Sequence, residues 1–197
     1  MSASSLLESG PTLAHNSVRL AIRERRATRR FATKAVSEAL VHELLETAVW
    51  APSANNLQPW SFAVVQNRIL LREISQAAKR RLADDPHWRT HLPLADPDFD
   101  IFYGCGTLIV ICAAADGFDP VGDCYLAGQN LMLMAWSMGL ATCPVGLARD
   151  VLQEDFMKRR LQIPAEITPV LPIIVGYASK PMPRPSRHPP RIHTWIK

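Results

Sequence analysis

Leu40, Val41, Leu44, Leu45, Ala48 and Val49 recur at three- and four-residue steps, the spacing that gathers apolar side chains on one stripe of a helix. Ser37 is a suitable N-cap for it, and Glu38 puts a carboxylate in the first turn, where the helix dipole favours one. Pro52 disfavours helical backbone at Ala51, so the helix should stop there. A shorter stripe of Val18, Ala21 and Ile22 predicts a helix from about His15 to Arg26, with arginines filling its last turn. Ile69 to Leu82 again reads as helix. Asp123 to Met138 is the most apolar helical stretch, without a charge after Asp123, and Gly139 is placed to end it. A helix apolar all round belongs in a core or an interface. Val151 to Leu161 predicts a last short helix before Pro164.

Strand patterns alternate with these. Ser61 to Gln66 is one, and Leu140 to Val145 is another. Thr107 to Ala113 is continuously apolar, as expected of a central strand covered on both faces. Thr168 to Tyr177 is the longest, and Pro172 inside it predicts an edge position or a bulge. Residues 84–100 are rich in Pro, Asp and His and predict a surface excursion. The ends read differently: residues 1–14 as a loose arm, 15–178 as one domain, and the Pro- and Arg-rich 179–197 as an extended arm laid over another surface. Mixed strands and helices with an apolar sheet give an α+β, three-layer α/β/α sandwich.

Composition narrows this little further. Of 197 residues, 48% are hydrophobic and 20% charged, which is globular, and the net charge of +4 is too small to argue for nucleic acid. Cys105, Cys112, Cys124 and Cys143 form no C-x-x-C pair and sit in apolar surroundings, so they read as buried free thiols in a reducing cytoplasm. No metal-ligand spacing appears among the cysteines and histidines. The first ten residues lack a secretory pattern, and no apolar run approaches a membrane span.

Two segments carry candidate chemistry. In the run Arg25 to Phe31, Arg25 and Arg29 lie four apart, as do Arg26 and Arg30, so each pair shares a face if the helix continues. Such a pair is either a solvated basic helix end or a grip on an anion, since guanidinium forks match phosphate oxygens. The second segment, Ala51 to Trp60, is bracketed by Pro52 and Pro59 and holds Ser53, Asn55, Asn56 and Gln58. It is either a plain turn or a polar clamp, because carboxamides both donate to and accept from a flat heterocycle. No Walker or G-x-G-x-x-G loop is present, which argues against a Rossmann dinucleotide site. No nucleophile elbow or catalytic triad is readable, so any chemistry would belong to a cofactor, and no catalytic side chain is named.

Arg25-Arg26-Ala27-Thr28-Arg29-Arg30-Phe31 resembles the R-R-S-x-R-x-F opening of the nitroreductase family, the FMN-dependent NAD(P)H oxidoreductases. Ala51 to Trp60 resembles that family's A-P-S-x-x-N-x-Q-P-W element, and Pro144-Val145-Gly146 its flavin-contacting turn. Asp123 before the apolar helix and Gly139-Leu140 after it fit the short members, and the resemblance spans about residues 18–191. It implies an intertwined homodimer with FMN at the interface. Arg25 and Arg29 would grip its phosphate, with Arg26 and Ala27 at the same turn and Arg187 as a contact from the C-terminal arm, ahead of Arg184. Pro52, Ser53 and Asn56 would contact the flavin, Pro52 and Ser53 from the partner subunit, and Val145 and Gly146 would lie near the ring. Ala27 stands where the family has serine, which removes one hydroxyl donor.

The implied activity is ping-pong transfer of hydride from NADH or NADPH, through FMN, to an electron-poor small molecule such as a nitroaromatic or quinone. The alternatives are another FMN reaction on the same fold (reductive dehalogenation, heterocycle dehydrogenation or flavin fragmentation), decided by residues 84–100, or a basic nucleic-acid-binding module. The expected setting is cytoplasmic, with neither nucleic acid nor membrane as partner.

Overall fold

Leu108 to Ala113 forms a strand in which every residue is buried, as its unbroken apolar run requires. The computed structural model of the chain describes residues 12–197, with side chains from Ser17 onward. The expected arm at 1–14 therefore lies outside the described residues as far as residue 11, and from Thr12 the chain is helical.

In chain order the elements are α1 (Thr12–Glu24), α2 (Glu38–Ala48), β1 (Trp60–Val65), α3 (Arg68–Ala83), α4 (Pro86–His91), β2 (Leu108–Ala113), α5 (Pro120–Ser137), β3 (Ala141–Pro144), α6 (Arg149–Gln153), α7 (Asp155–Arg160) and β4 (Thr168–Gly176). The four strands make one antiparallel sheet in the order β1-β2-β4-β3. Alternation along β2 and β4 splits the core in two. Ile109, Ile111, Ile173 and Val175 meet α2 and α5 on one face. Leu108, Val110, Cys112 and Ile174 meet α3, α6 and α7 on the other. That is the expected three-layer α+β sandwich. α5 lies close against the sheet because Gly128 has no side chain: a Cβ there would stand 2.3 Å from Leu171 Cδ2. Among the described residues, no helix is long and apolar enough to cross a membrane.

Four local expectations change. α1 ends at Glu24 rather than Arg26, and residues 25–31 form no helix, with isolated bridges at Ala27 and Phe31. Arg26 turns back and donates to the carbonyls of Arg23 (2.6 Å) and Arg25 (2.8 Å), which caps the helix end. The excursion at 84–100 contains α4, whose N-cap Asp85 accepts from the His87 N–H at 2.8 Å. The predicted helix at 151–161 is broken at Glu154, which is extended (ψ 138°), into α6 and α7. Pro172 lies in central β4, not at an edge. The register shift between Ile111 and Cys112 leaves Val170 extra, so the bulge falls two residues before the proline. Pro172 is tolerated because β3 ends at Pro144. The Pro172 carbonyl accepts from Val145 N at 2.8 Å, and its hydrogen-less nitrogen faces the place where β3 turns away.

Candidate functional site

Residues 25–32 run along the open side of β3 and the end of β4. Thr28 N donates to Thr142 O (2.9 Å), Ala32 N to Tyr177 O (2.8 Å) and Ser179 N to Arg30 O (3.0 Å). Isolated bridges join Ala27 to Thr142 and Phe31 to Ala178. Ala27 and Phe31 pack against the α3/α6 core, which includes Cys143. Arg29 and Arg25 both act on the Cys143 thiol, pulling its pKa down against the stronger upward push of burial. The two arginines thus still converge, though not as helical neighbours.

Arg25 carries its charge in an unfavourable setting. Burial lowers its pKa first, and the charges of Arg26 and Arg187 lower it further. Its Nε is buried without a hydrogen-bond partner, as is that of Arg26. A cleft of about 840 Å³ opens beside it, lined by Arg23, Arg25, Arg26, Arg184 and Arg187 with Glu24 as the acidic member. Glu24 pairs with Arg26 at 3.7 Å and hydrogen-bonds Arg184. Arg184 and Arg26 are therefore occupied, whereas Arg187 makes only a 3.3 Å contact to its neighbour's carbonyl and faces Arg25. Like charges brought together around a buried, unsatisfied donor fit an anion.

Val145 and Gly146 lie on the far side of Arg29. Val145 is buried and Gly146 exposed, and both line a second cleft, of about 590 Å³, together with Arg29, Tyr103 and Trp88. The structure therefore brings Arg25, Ala27, Arg29, Val145, Gly146 and Arg187 into one neighbourhood.

The proline-bracketed loop lies elsewhere. Ala54 to Asn56 makes one 3₁₀ turn, in which Asn56 N donates to Ser53 O and Leu57 N to Ala54 O, each at 3.0 Å. Ser53 Oγ accepts from Gln58 N at 2.9 Å, and Asn56 Oδ1 from Gln58 Nε2 at 3.3 Å. Asn55, Asn56 and Gln58 all hold positive φ, at 50°, 55° and 48°. Three such residues in one exposed loop store strain of order 1–3 kcal/mol each, which is usual where a loop has a job beyond turning. Pro52 and Asn56 are exposed and Ser53 half-buried.

Asp123, which the sequence reading did not place in the site, holds this loop. It is 6% exposed, sits in the first turn of α5, and its Oδ2 accepts from Ala54 N at 3.3 Å. The usable signal was an acid in the first turn of an otherwise uncharged helix. The arginine segment lies beyond the other end of that helix, beside Thr142. α5 has 18 residues, about 27 Å at 1.5 Å per residue. The loop and the arginine segment therefore lie toward opposite ends of α5.

Comparison with known proteins gives one consistent result. Residues 22–177 match the model of the nitroreductase family. A Methanothermobacter thermautotrophicus protein, provisionally named an NADH dehydrogenase/NAD(P)H nitroreductase, is 30% identical over 88% of this chain and 84% of its own. The chloronitrobenzene nitroreductase of Comamonas testosteroni is 28% identical over 82% of this chain and 86% of its own. A crystal structure of a Desulfitobacterium hafniense nitroreductase with bound FMN superposes with a TM-score of 0.79 at 25% identity, covering 92% of this chain and 99% of that one.

Proposed function

The chain belongs to the nitroreductase family, and on that premise we propose that it is a homodimeric, cytoplasmic FMN-dependent NAD(P)H oxidoreductase. Bound FMN would accept two electrons from NADH or NADPH and pass them to an electron-poor acceptor, a nitroarene or a quinone. For a nitroarene the balance is R–NO2 + NAD(P)H + H⁺ → R–NO + NAD(P)⁺ + H2O.

The observation that carries the reading is the unsatisfied Arg25 beside Arg187 and Arg29. A phosphate dianion supplies both the countercharge and the acceptors those groups lack. Arg25, Arg29 and Arg187 hold it. Ala27 offers no hydroxyl, so the arginines carry the contact, and Arg26 shapes the turn from its place on the α1 carbonyls. Val145 and Gly146 border the ring, and Pro52, Ser53 and Asn56 reach it from the partner subunit. The placement of the two segments toward opposite ends of α5 supports this division. Exposed Val18, Leu20 and Ile22 on α1 and Tyr125 and Leu126 on α5 give a second copy an apolar surface to cover, and the 179–197 arm extends over it.

The test is direct. Protein reconstituted with FMN and freed of excess should show the visible flavin spectrum, run as a dimer and bleach anaerobically with NADH or NADPH. No retained flavin, or no bleaching, sinks the reading. Within the fold, Trp88 and Leu92 of the 84–100 excursion line the cleft that holds Gly146. That segment therefore decides whether the same flavoprotein reduces nitroarenes or carries out dehalogenation, heterocycle dehydrogenation or flavin fragmentation. Its replacement should change acceptor preference while leaving bleaching by the donor intact.

A further inference from the structure

The 590 Å³ cleft has two unlike walls. One is the proposed cofactor wall of Arg29, Val145 and Gly146. The other comes from α4, the end of α3 and the start of α6: Trp88 and Leu92, Arg81, and Arg149. Nothing in the cofactor reading uses this second wall. We propose that it is an acceptor subsite selective for a planar aromatic anion, an arene carrying a carboxylate or a comparable acidic group. This rests on the function proposed above.

Three features support the assignment. First, Trp88 offers an aromatic face on an excursion that is tied back to α3. His87 packs edge-on to Trp88 with centroids 4.9 Å apart, and the excursion is stapled at its far end to α3. There the Lys79 ammonium donates to Asp96 O (2.6 Å) and Phe99 O (2.9 Å), and Ser75 Oγ accepts from Ile101 N (3.2 Å). Lys79 is 6% exposed, so this staple is shielded from water. Second, Arg81 and Arg149 are only loosely engaged. Arg81 stands 3.6 Å from Glu154 and Arg149 4.0 Å from Asp150, contacts too long for a hydrogen bond. Both forks are free to turn to an anion. Third, leaving Arg29 to the cofactor, Arg81 and Arg149 still outnumber the single acid that lines the cleft, Asp150. An anionic ring therefore gains there what a neutral ring of the same shape does not.

The experiment uses the FMN-loaded protein, reduced anaerobically with dithionite so that no nicotinamide competes for the arginines. It is mixed in a stopped-flow instrument with 4-nitrobenzoate or its neutral isostere 4-nitrobenzamide. Each second-order reoxidation rate is divided by that of free reduced FMN, which removes the intrinsic difference between the acceptors. The normalised rate for the benzoate should exceed that for the amide by about tenfold. That ratio should shrink as salt is raised and fall to within about twofold in the R81Q/R149Q double variant. W88A should slow both acceptors. A wild-type ratio at or below one, or a ratio unchanged in the double variant, overturns the assignment. Arg81 and Arg149 are exposed, so the variants should fold, and the salt series tests the same point on the unaltered protein. Protein that takes up no FMN sinks the function itself, and this inference with it, before any acceptor is added.

Discussion

Replacing Arg25 with methionine should stabilise the cofactor-free protein and weaken its hold on FMN, two effects of opposite sign from one change. Arg25 is half-buried at the end of α1, its Nε has no partner, and burial, Arg26 and Arg187 all oppose its charge. A buried donor left unmade costs about 1–3 kcal/mol. Methionine keeps most of the aliphatic stem and removes the charge. Because the group is only partly buried, the gain should sit at the low end, about 1 kcal/mol, or roughly 2–4 °C in Tm for a chain of this size. With FMN the account reverses. A charge-assisted bond to phosphate contributes about 1.5–3 kcal/mol, so Kd should rise about ten- to hundredfold. R25K keeps the charge without the fork and should fall between the two in affinity. Calorimetric Tm of stripped protein and titration of flavin fluorescence read both effects on the same sample. A stripped R25M with lower Tm and unchanged Kd would refute the reasoning, because Arg25 would then be a structural residue satisfied in some other way.

Three further outcomes are expected. D123A removes the acceptor on Ala54 N and should release the strained 53–58 loop, raising the FMN Kd about tenfold, with D123N recovering part of it; wild-type affinity in D123A would show that the loop needs no anchor. G128A drives a methyl into Leu171 and should cost about 1–3 kcal/mol in urea unfolding, and a neutral result would mean α5 can move off the sheet freely. Burial pushes Cys105 up to about 11 and Cys112 and Cys124 up to about 12 from 9.0, so the unfolded chain loses these protons before the folded one does. Stability should therefore hold below pH 9 and fall as pH rises from there toward 11–12, and a flat Tm across that window would contradict it.

The layers of the fold were readable because burial imposes periodicity. β2 is buried on both faces and α2 shows its stripe, so each was placed to within three residues. The misplacements arose where tertiary contacts override local pattern. Arg25 to Phe31 has no periodicity of its own to oppose a helix. It is drawn out by bonds to Thr142 and Tyr177, residues more than a hundred positions away. Pro172 breaks a local rule that a neighbouring strand's early end suspends. Glu154 splits a stretch whose apolar spacing alone would have continued.

The spacing of the arginine motif does not depend on the helix expected for it. Four residues is one turn of a helix and also two repeats of an extended strand, so Arg25 and Arg29 share a side in either conformation. What changes is their separation. Helical neighbours lie about 6 Å apart, whereas four extended residues span about 13 Å. A pair that far apart embraces a phosphate only if the long side chains converge on it, and in the proposed function Arg187 is the third cation that closes the gap. The same consideration applies to the whole site. The loop anchored by Asp123 and the arginines beside Thr142 were both legible as motifs, but they lie toward opposite ends of α5. On the proposed function, the chain completes its site by lending one half to a second copy. FMN affinity should therefore depend on protein concentration. Diluting the holoprotein through its dimer dissociation constant should release flavin in step with monomer, and flavin retained by monomer would overturn the shared-site reading.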